Sequence, residues 1–401
     1  MSPASQAALQ NEIDDELEPT LDFLGRLIAE ASVEGTDAIT RTQQMIASAA
    51  RPLGGREAVH TYDGVPNLMI DWGSPDSAER LLLTGHADVV PADGPWPSPP
   101  FTMTRSGTTL TGRGTADMKG GLAAYVGALN VLARTGQLDG TPISLVVTGD
   151  EEVGSQHGMM PLLREGKTRG RWAVCAEPTN LDVYTGNRGV VSLRISVTGR
   201  AGHAGLPHVC ANPVPVAARL VTALDSLPVT ATDPRFDPPS ATLTVTSVAV
   251  PGRPSMATIP GEVQLAVDRR LLPGETPQGA LEPIRQAIAA VVTDPFGARI
   301  DVLRAWPPYM AADDDPLVRL AQEIMRSVGR RGSLGADLAA DDSSWLGDAG
   351  ISTILCGPGA PGEAHTAGER IDVSDVRDAI AIYVGLCLAA RERELAGPAA
   401  G

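Results

Sequence analysis

The sequence predicts an α/β protein in which a mostly parallel sheet with helices on both faces is interrupted by a ferredoxin-like α+β domain. Three observations lead there. Short apolar runs alternate with runs of helical spacing along both ends of the chain, the order expected of a parallel sheet. Several of those apolar runs stop at a loop carrying histidine or acid. Near Gly186 the alternation gives way to strand, helix, strand, strand, helix, strand, the order of a ferredoxin-like unit. The main domain is therefore assigned to residues 1–186 and 308–401, and the insert to residues 187–307.

Taken in order, residues 12–50 read as helical, with Leu21, Leu24, Leu27 and Ile28 on one face and a second amphipathic run from Ala38 to Ala50. Strands are expected at Asn67 to Trp72 and at Leu81 to Thr84, the latter running into GHADVVP. PADGPWPSPPF, residues 91–101, holds too many prolines to be anything but loop. GRGTADMKGG, residues 112–121, leads into a helix from Leu122 to Arg134. The strand Ile143 to Thr148 ends in GDEEVGS, and the strand Trp172 to Cys175 ends in AEPT. Within the insert the expected elements are a strand over 190–197, a helix over 213–227, strands over 241–250 and 262–270, a helix over 277–292 and a strand over 299–305. A helix over 315–328, a strand over 351–356 and a helix over 373–391 complete the main domain, and LAGPAAG at the end reads as a disordered tail.

At 401 residues the chain can bury a large core, and with 3% aromatic residues that core must rest on Ala, Val, Leu and Ile. A formal net charge of -16, spread along the chain, argues against nucleic acid and anionic membranes as partners. The first residues lack a basic stretch followed by an apolar one, and no run approaches a membrane span, so a cytoplasmic location is expected. Cys175, Cys210, Cys356 and Cys387 show no CxxC spacing, which points to free thiols and away from a disulfide framework or a thiolate zinc site.

The loops after the predicted strands carry His86, Asp117, the pair Glu151 and Glu152, and Glu177, with His365 beyond the last strand in GPGAPGEAHTAGE. One acidic loop means little, since such a pair commonly starts a helix. Several at one sheet edge would gather carboxylates that cannot stay ionised together without a cation to neutralise them. Imidazole nitrogen with carboxylate oxygen and no thiolate suits zinc, with cobalt or manganese as alternatives. GPGAPG, residues 357–362, matches GxGxxG, but two of its positions are prolines without a backbone donor and no helix follows directly, so a dinucleotide site is rejected.

GHADVVP, GRGTADMKGG, GDEEVGS, AEPT and GPG with AHT-x-x-E, in this order, resemble the co-catalytic di-zinc amidohydrolase and peptidase superfamily of acetylornithine deacetylase, succinyl-diaminopimelate desuccinylase, aminoacylase and carboxypeptidase G. The resemblance implies two divalent metals per chain. Asp117 would bridge them, His86 and Glu177 would complete one site, and Glu152 and His365 the other. It also implies that Asp88 orients His86 and that Glu151 is the general base. Three carboxylates against two divalent cations leave a formal charge of +1, which favours both a deprotonated water and an anionic substrate. In the insert, GRAGHAGLPHVCANP places His203 where a relative's histidine reaches a neighbouring active site across a dimer and stabilises the oxyanion. Arg270 matches an arginine that holds a substrate carboxylate.

Departures from the family pattern are Cys210 in place of glycine, Pro213 in place of alanine and Ala257 in place of asparagine, and Ser343 and Ser344 near Asp342 stand where relatives carry an arginine or a small residue. The missing arginine weighs against a desuccinylase. The expected activity is hydrolysis of the amide bond of an N-acyl amino acid or related amine by a homodimer paired through its lid domain. A carboxypeptidase G-like exopeptidase or dipeptidase is the second enzymatic reading. The non-enzymatic alternative is a silent metal-binding scaffold, against which the retained Glu151 argues.

Overall fold

The computed structural model describes residues 3–252 and 256–396, so most of the tail in question lies outside the described residues. The chain divides into two compact units, one of residues 1–186, 311–335 and 341–401, the other of residues 187–310 and 336–340.

In the first unit a sheet runs in the order Arg56–Tyr62, Val65–Asp71, Ile143–Thr148, Leu81–His86, Trp172–Pro178, Ser352–Gly357, Val183–Asn187. The four strands from Ile143–Thr148 to Ser352–Gly357 are mutually parallel, and the outer ones are antiparallel. Leu81–His86, Ile143–Thr148 and Trp172–Pro178 are buried at every position, as strands covered on both faces must be. Their carboxyl ends share one edge, where loops converge on a crevice that the sheet holds rigid.

Helices Pro3–Ala29, Lys119–Arg134 and Val373–Ala396 pack together, with Leu24, Leu27 and Ile28 of the first fully buried. Gly121 explains the close approach of Lys119–Arg134 to the sheet, since a Cβ there would stand 2.5 Å from that of Ala176, and a Cβ at Gly120 would collide with the Thr115 carbonyl oxygen of the preceding loop.

The second unit holds a four-stranded antiparallel sheet in the order Thr242–Ala249, Glu262–Leu271, Gly189–Thr198, Gly297–Trp306. Numbered along the chain that order is 2-3-1-4, the ferredoxin-like arrangement. Helices Pro213–Asp225 and Pro277–Val291 bury Val216, Leu220, Leu224, Ile284 and Ile288 against Val191, Leu193, Ile195, Val263, Leu265 and Val267. Asn212 and Thr276 cap the two helices by accepting from Val214 N and Gly279 N. No helix among the described residues is long and apolar enough to cross a membrane.

Candidate metal centre

Strand ends bring five sequence-predicted residues together. His86 closes the strand Leu81–His86, Glu177 lies in Trp172–Pro178, and Glu152 lies in the 3-10 turn Glu151–Val153 after Ile143–Thr148. Asp117 sits just before the helix Lys119–Arg134, and His365 follows the turn Pro361–Glu363, with a φ of 61°. The donor atoms form two groups, His86 with Asp117 and Glu177, and Asp117 with Glu152 and His365, in each of which all lie within 4.8 Å of one another.

Asp117 belongs to both groups and divides its oxygens between them. Oδ1 lies 3.1 Å from His86 Nε2, and Oδ2 lies 3.2 Å from His365 Nε2. His86 Nε2 is also 3.6 Å from Glu177 Oε1, and His365 Nε2 is 3.0 Å from Glu152 Oε2. Glu151 stands beside the first group, with Oε2 4.0 Å from His86 Nε2.

Asp88 holds this arrangement from beneath and is fully buried. Its main-chain oxygen lies 2.9 Å from His86 Nδ1, whereas its carboxylate is 3.6 Å away. The carboxylate instead accepts from Glu151 N at 3.3 Å and Glu152 N at 3.0 Å. One residue thus aims the histidine through its backbone and the paired glutamates through its side chain. Asp342 braces the same turn from outside, its carboxylate accepting from Thr148 Oγ1 at 3.2 Å and from Ser155 Oγ.

Electrostatics describe a cluster that asks for positive charge. Burial pushes Glu151 well above the usual carboxylate range, and the charges of Glu177, Glu152 and Asp342 add to it against an opposing contribution from His86. Glu152 is raised by burial and by Asp117. His365 is raised to about 10 by its bonds to Asp117 and Glu152. His86 is raised although burial opposes it, because Asp117 and Asp88 favour its charged form. Each histidine nitrogen thus stands among carboxylates, where a cation would be held. A nitrogen-and-oxygen donor set with one shared carboxylate fits divalent metal, and no thiolate is part of either group.

The two remaining predicted residues belong to the second unit. His203 is exposed on the short strand Gly202–His203, and its Nδ1 accepts from Gly205 N at 2.9 Å, which leaves Nε2 to carry the proton. Arg270 pairs with Asp268 at 2.9 Å, while Arg269 on the other side of the strand is buried against Glu275. Among the departures, Ser343 and Ser344 are both buried. Sequence reasoning missed Asp342, Arg113 and Glu369. Glu369 and Arg113 left a signal, as the last position of AHT-x-x-E and the second of GRGTADMKGG.

A parallel α/β sheet whose strand ends carry histidines and carboxylates in two groups sharing one aspartate defines a metal-dependent hydrolase. Comparison with known proteins narrows that class. The model of peptidase family M20/M25/M40 matches residues 82–389. Succinyl-diaminopimelate desuccinylase of Methylorubrum extorquens (strain PA1) is 33% identical over 340 residues, covering 81% of this chain and 86% of that protein. The desuccinylase of Alkalilimnicola ehrlichii is 30% identical over 382 residues, covering 92% and 98%. Among solved structures, the dipeptidase Dug1p from Saccharomyces cerevisiae superposes with a TM-score of 0.79 at 16% identity, covering 98% of this chain and 100% of that one. The M20 family metallo-carboxypeptidase Sso-CP2 from Sulfolobus solfataricus gives 0.77 at 17%, covering 93% and 99%. The chain belongs to peptidase family M20/M25/M40 and is a metal-dependent amidohydrolase.

Proposed function

We propose that this chain removes the acyl group from an N-acyl amino acid, with two zinc ions held by His86, Asp117 and Glu177 and by Asp117, Glu152 and His365. The observation that carries the reading is the division of Asp117, one oxygen facing each group, with Glu151 beside them, its Oε2 4.0 Å from His86 Nε2. Bound there, the cations would supply Lewis acidity to the scissile carbonyl and make water acidic enough to act near neutral pH. Glu151 takes a proton from the attacking water and delivers it to the departing nitrogen, so that amide and water become carboxylic acid and free amine. Asp88 keeps Glu151 in place by accepting from its main-chain amide at 3.3 Å.

His203, with Nδ1 already satisfied, offers Nε2–H to the oxyanion, and we assign that role to a second copy of the chain. A surface groove of about 350 Å³ lined by Val214, Ala218, Val221, Val248 and Val263 on the insert supports pairing there. Arg270 would hold the substrate carboxylate with the part of its guanidinium not engaged by Asp268.

The test is metal content together with amine release from N-acetyl and N-succinyl amino acids and from dipeptides, with and without added zinc or cobalt. About two metals per chain and metal-dependent release from the acyl amino acids are expected, with Glu151→Ala keeping the metal and losing at least about 100-fold in kcat. Full activity of Glu151→Ala would overturn the mechanism. Turnover of dipeptides alone would favour the exopeptidase, and metal without any turnover the scaffold.

A further inference from the structure

The fully buried carboxylate of Glu369 is spent on main-chain amides. Its Oε1 accepts from Gly114 N at 3.1 Å, Ala116 N at 2.8 Å and Asp117 N at 3.0 Å. Oε2 accepts from Gly114 N at 3.1 Å and from Arg113 Nη1 at 2.7 Å. The main-chain oxygen of Glu369 takes a further bond, from Gly112 N at 2.9 Å. Both side-chain oxygens are therefore occupied, and Glu369 is not itself a ligand. Gly114 has a φ of 90°, left-handed backbone that turns the amides of the loop inward onto one point.

We propose that Glu369 is a positioning residue which sets the two oxygens of Asp117 by clamping the loop 114–117 to the segment that carries His365. Asp117 reaches into both donor groups, so its main chain has to be held more firmly than that of any other ligand. His365 precedes Glu369 on one short segment, so the same clamp places the opposite ligand of the second group. The partner Arg113, 2% exposed, donates from Nη2 to Pro91 O at 3.3 Å, and its guanidinium lies 5.0 Å from the centre of the Trp96 ring. Three stretches distant in sequence thus meet on one buried ion pair. For stability alone an ion pair buried this deeply has little to offer over apolar residues of the same size. A carboxylate aimed at the amide of a metal ligand has a use that an apolar residue cannot supply.

The inference rests on the reading of Asp117 as the shared ligand, and the experiment separates the two. Zinc affinity of the metal-free protein is measured by chelator competition for Glu369→Ala, Glu369→Gln and Asp117→Asn. The visible spectrum of the cobalt-loaded forms and a thermal melt are recorded for each. Glu369→Ala is expected to lose about 10-fold to 100-fold in zinc affinity and Glu369→Gln about 10-fold, both with an altered cobalt spectrum and a lower kcat at little-changed KM. Wild-type zinc affinity and cobalt spectrum in a folded Glu369 variant would overturn the clamp. Should Glu369→Ala fail to fold, Glu369→Gln, which keeps the shape, decides. If Asp117→Asn bound zinc like the wild type, the metal-centre reading and the clamp would fall together, whereas loss in Asp117→Asn alone sinks only the clamp.

Discussion

Replacing Asp88 by alanine separates its two tasks. The main-chain oxygen that faces His86 Nδ1 at 2.9 Å survives any substitution, so the imidazole keeps its tautomer and direction. What disappears is the acceptor for Glu151 N at 3.3 Å and Glu152 N at 3.0 Å. Hydrogen bonds to a charged group contribute about 1.5–3 kcal/mol each, which puts the loss at about 3–6 kcal/mol. Truncation to alanine leaves room for a water to take up part of what the two amides lose, so the lower end, about 3 kcal/mol, is the better figure. Spent on misplacing Glu151, that corresponds to about 100-fold in kcat, the scale on which a 1 Å displacement acts. Asp88→Asn retains one acceptor oxygen and should lose about 10-fold. Initial rates over a range of substrate concentration should show the loss in kcat with KM nearly constant, and zinc at the His86 group retained. A kcat for Asp88→Ala within about threefold of wild type would refute the reasoning. Selective loss of zinc from the His86 group would instead show that the carboxylate, 3.6 Å from Nδ1, is what orients the histidine.

His365 has a side chain 55% exposed and supplies one donor to the second group, so His365→Ala should stay folded yet bind about one zinc fewer per chain, read by elemental analysis. Because His365 is raised to about 10 and His86 is raised as well, zinc must displace protons at pH 7, and its apparent affinity should rise with pH. Calorimetry in buffers of different ionisation enthalpy should show net release of protons as the metal loads. Without metal the sign reverses. The charged His365 stabilises the fold fully below the ordinary imidazole range and is lost as pH rises towards about 10, so with chelator present the melt at pH 6 should lie above that at pH 9.5. Val248 is 56% exposed on the edge strand Thr242–Ala249, and the proposed pairing through the insert is tested by sedimentation of Val248→Asp, which should run as a monomer where the wild type runs as a dimer.

Much of the architecture was legible because it rests on local patterns. The six elements expected in the insert lie within about two residues of their predicted bounds, since apolar residues recur along the strands, most regularly in Glu262–Leu271, and each helix has an apolar face. The hairpin strand Arg56–Tyr62 was not expected, because it is almost wholly exposed and its residues show no alternation. The strand before AEPT was drawn too short. Trp172–Pro178 continues past Cys175 against Ser352–Gly357, which places Glu177 within the strand itself.

The sequence by itself determined which side chains stand at the sheet edge, because apolar runs interrupted by histidine and acid leave a mark within a few neighbouring residues. Only the tertiary structure decided how they are held. Asp88 reaches Glu151 and Glu152, Asp342 reaches Ser155, and Glu369 reaches the amides of residues 114, 116 and 117, across separations of 63 to 255 positions. Bonds from a side chain to a distant main chain impose no periodicity and call for no neighbouring residue type, so they become visible only when the sheet has brought the loops together.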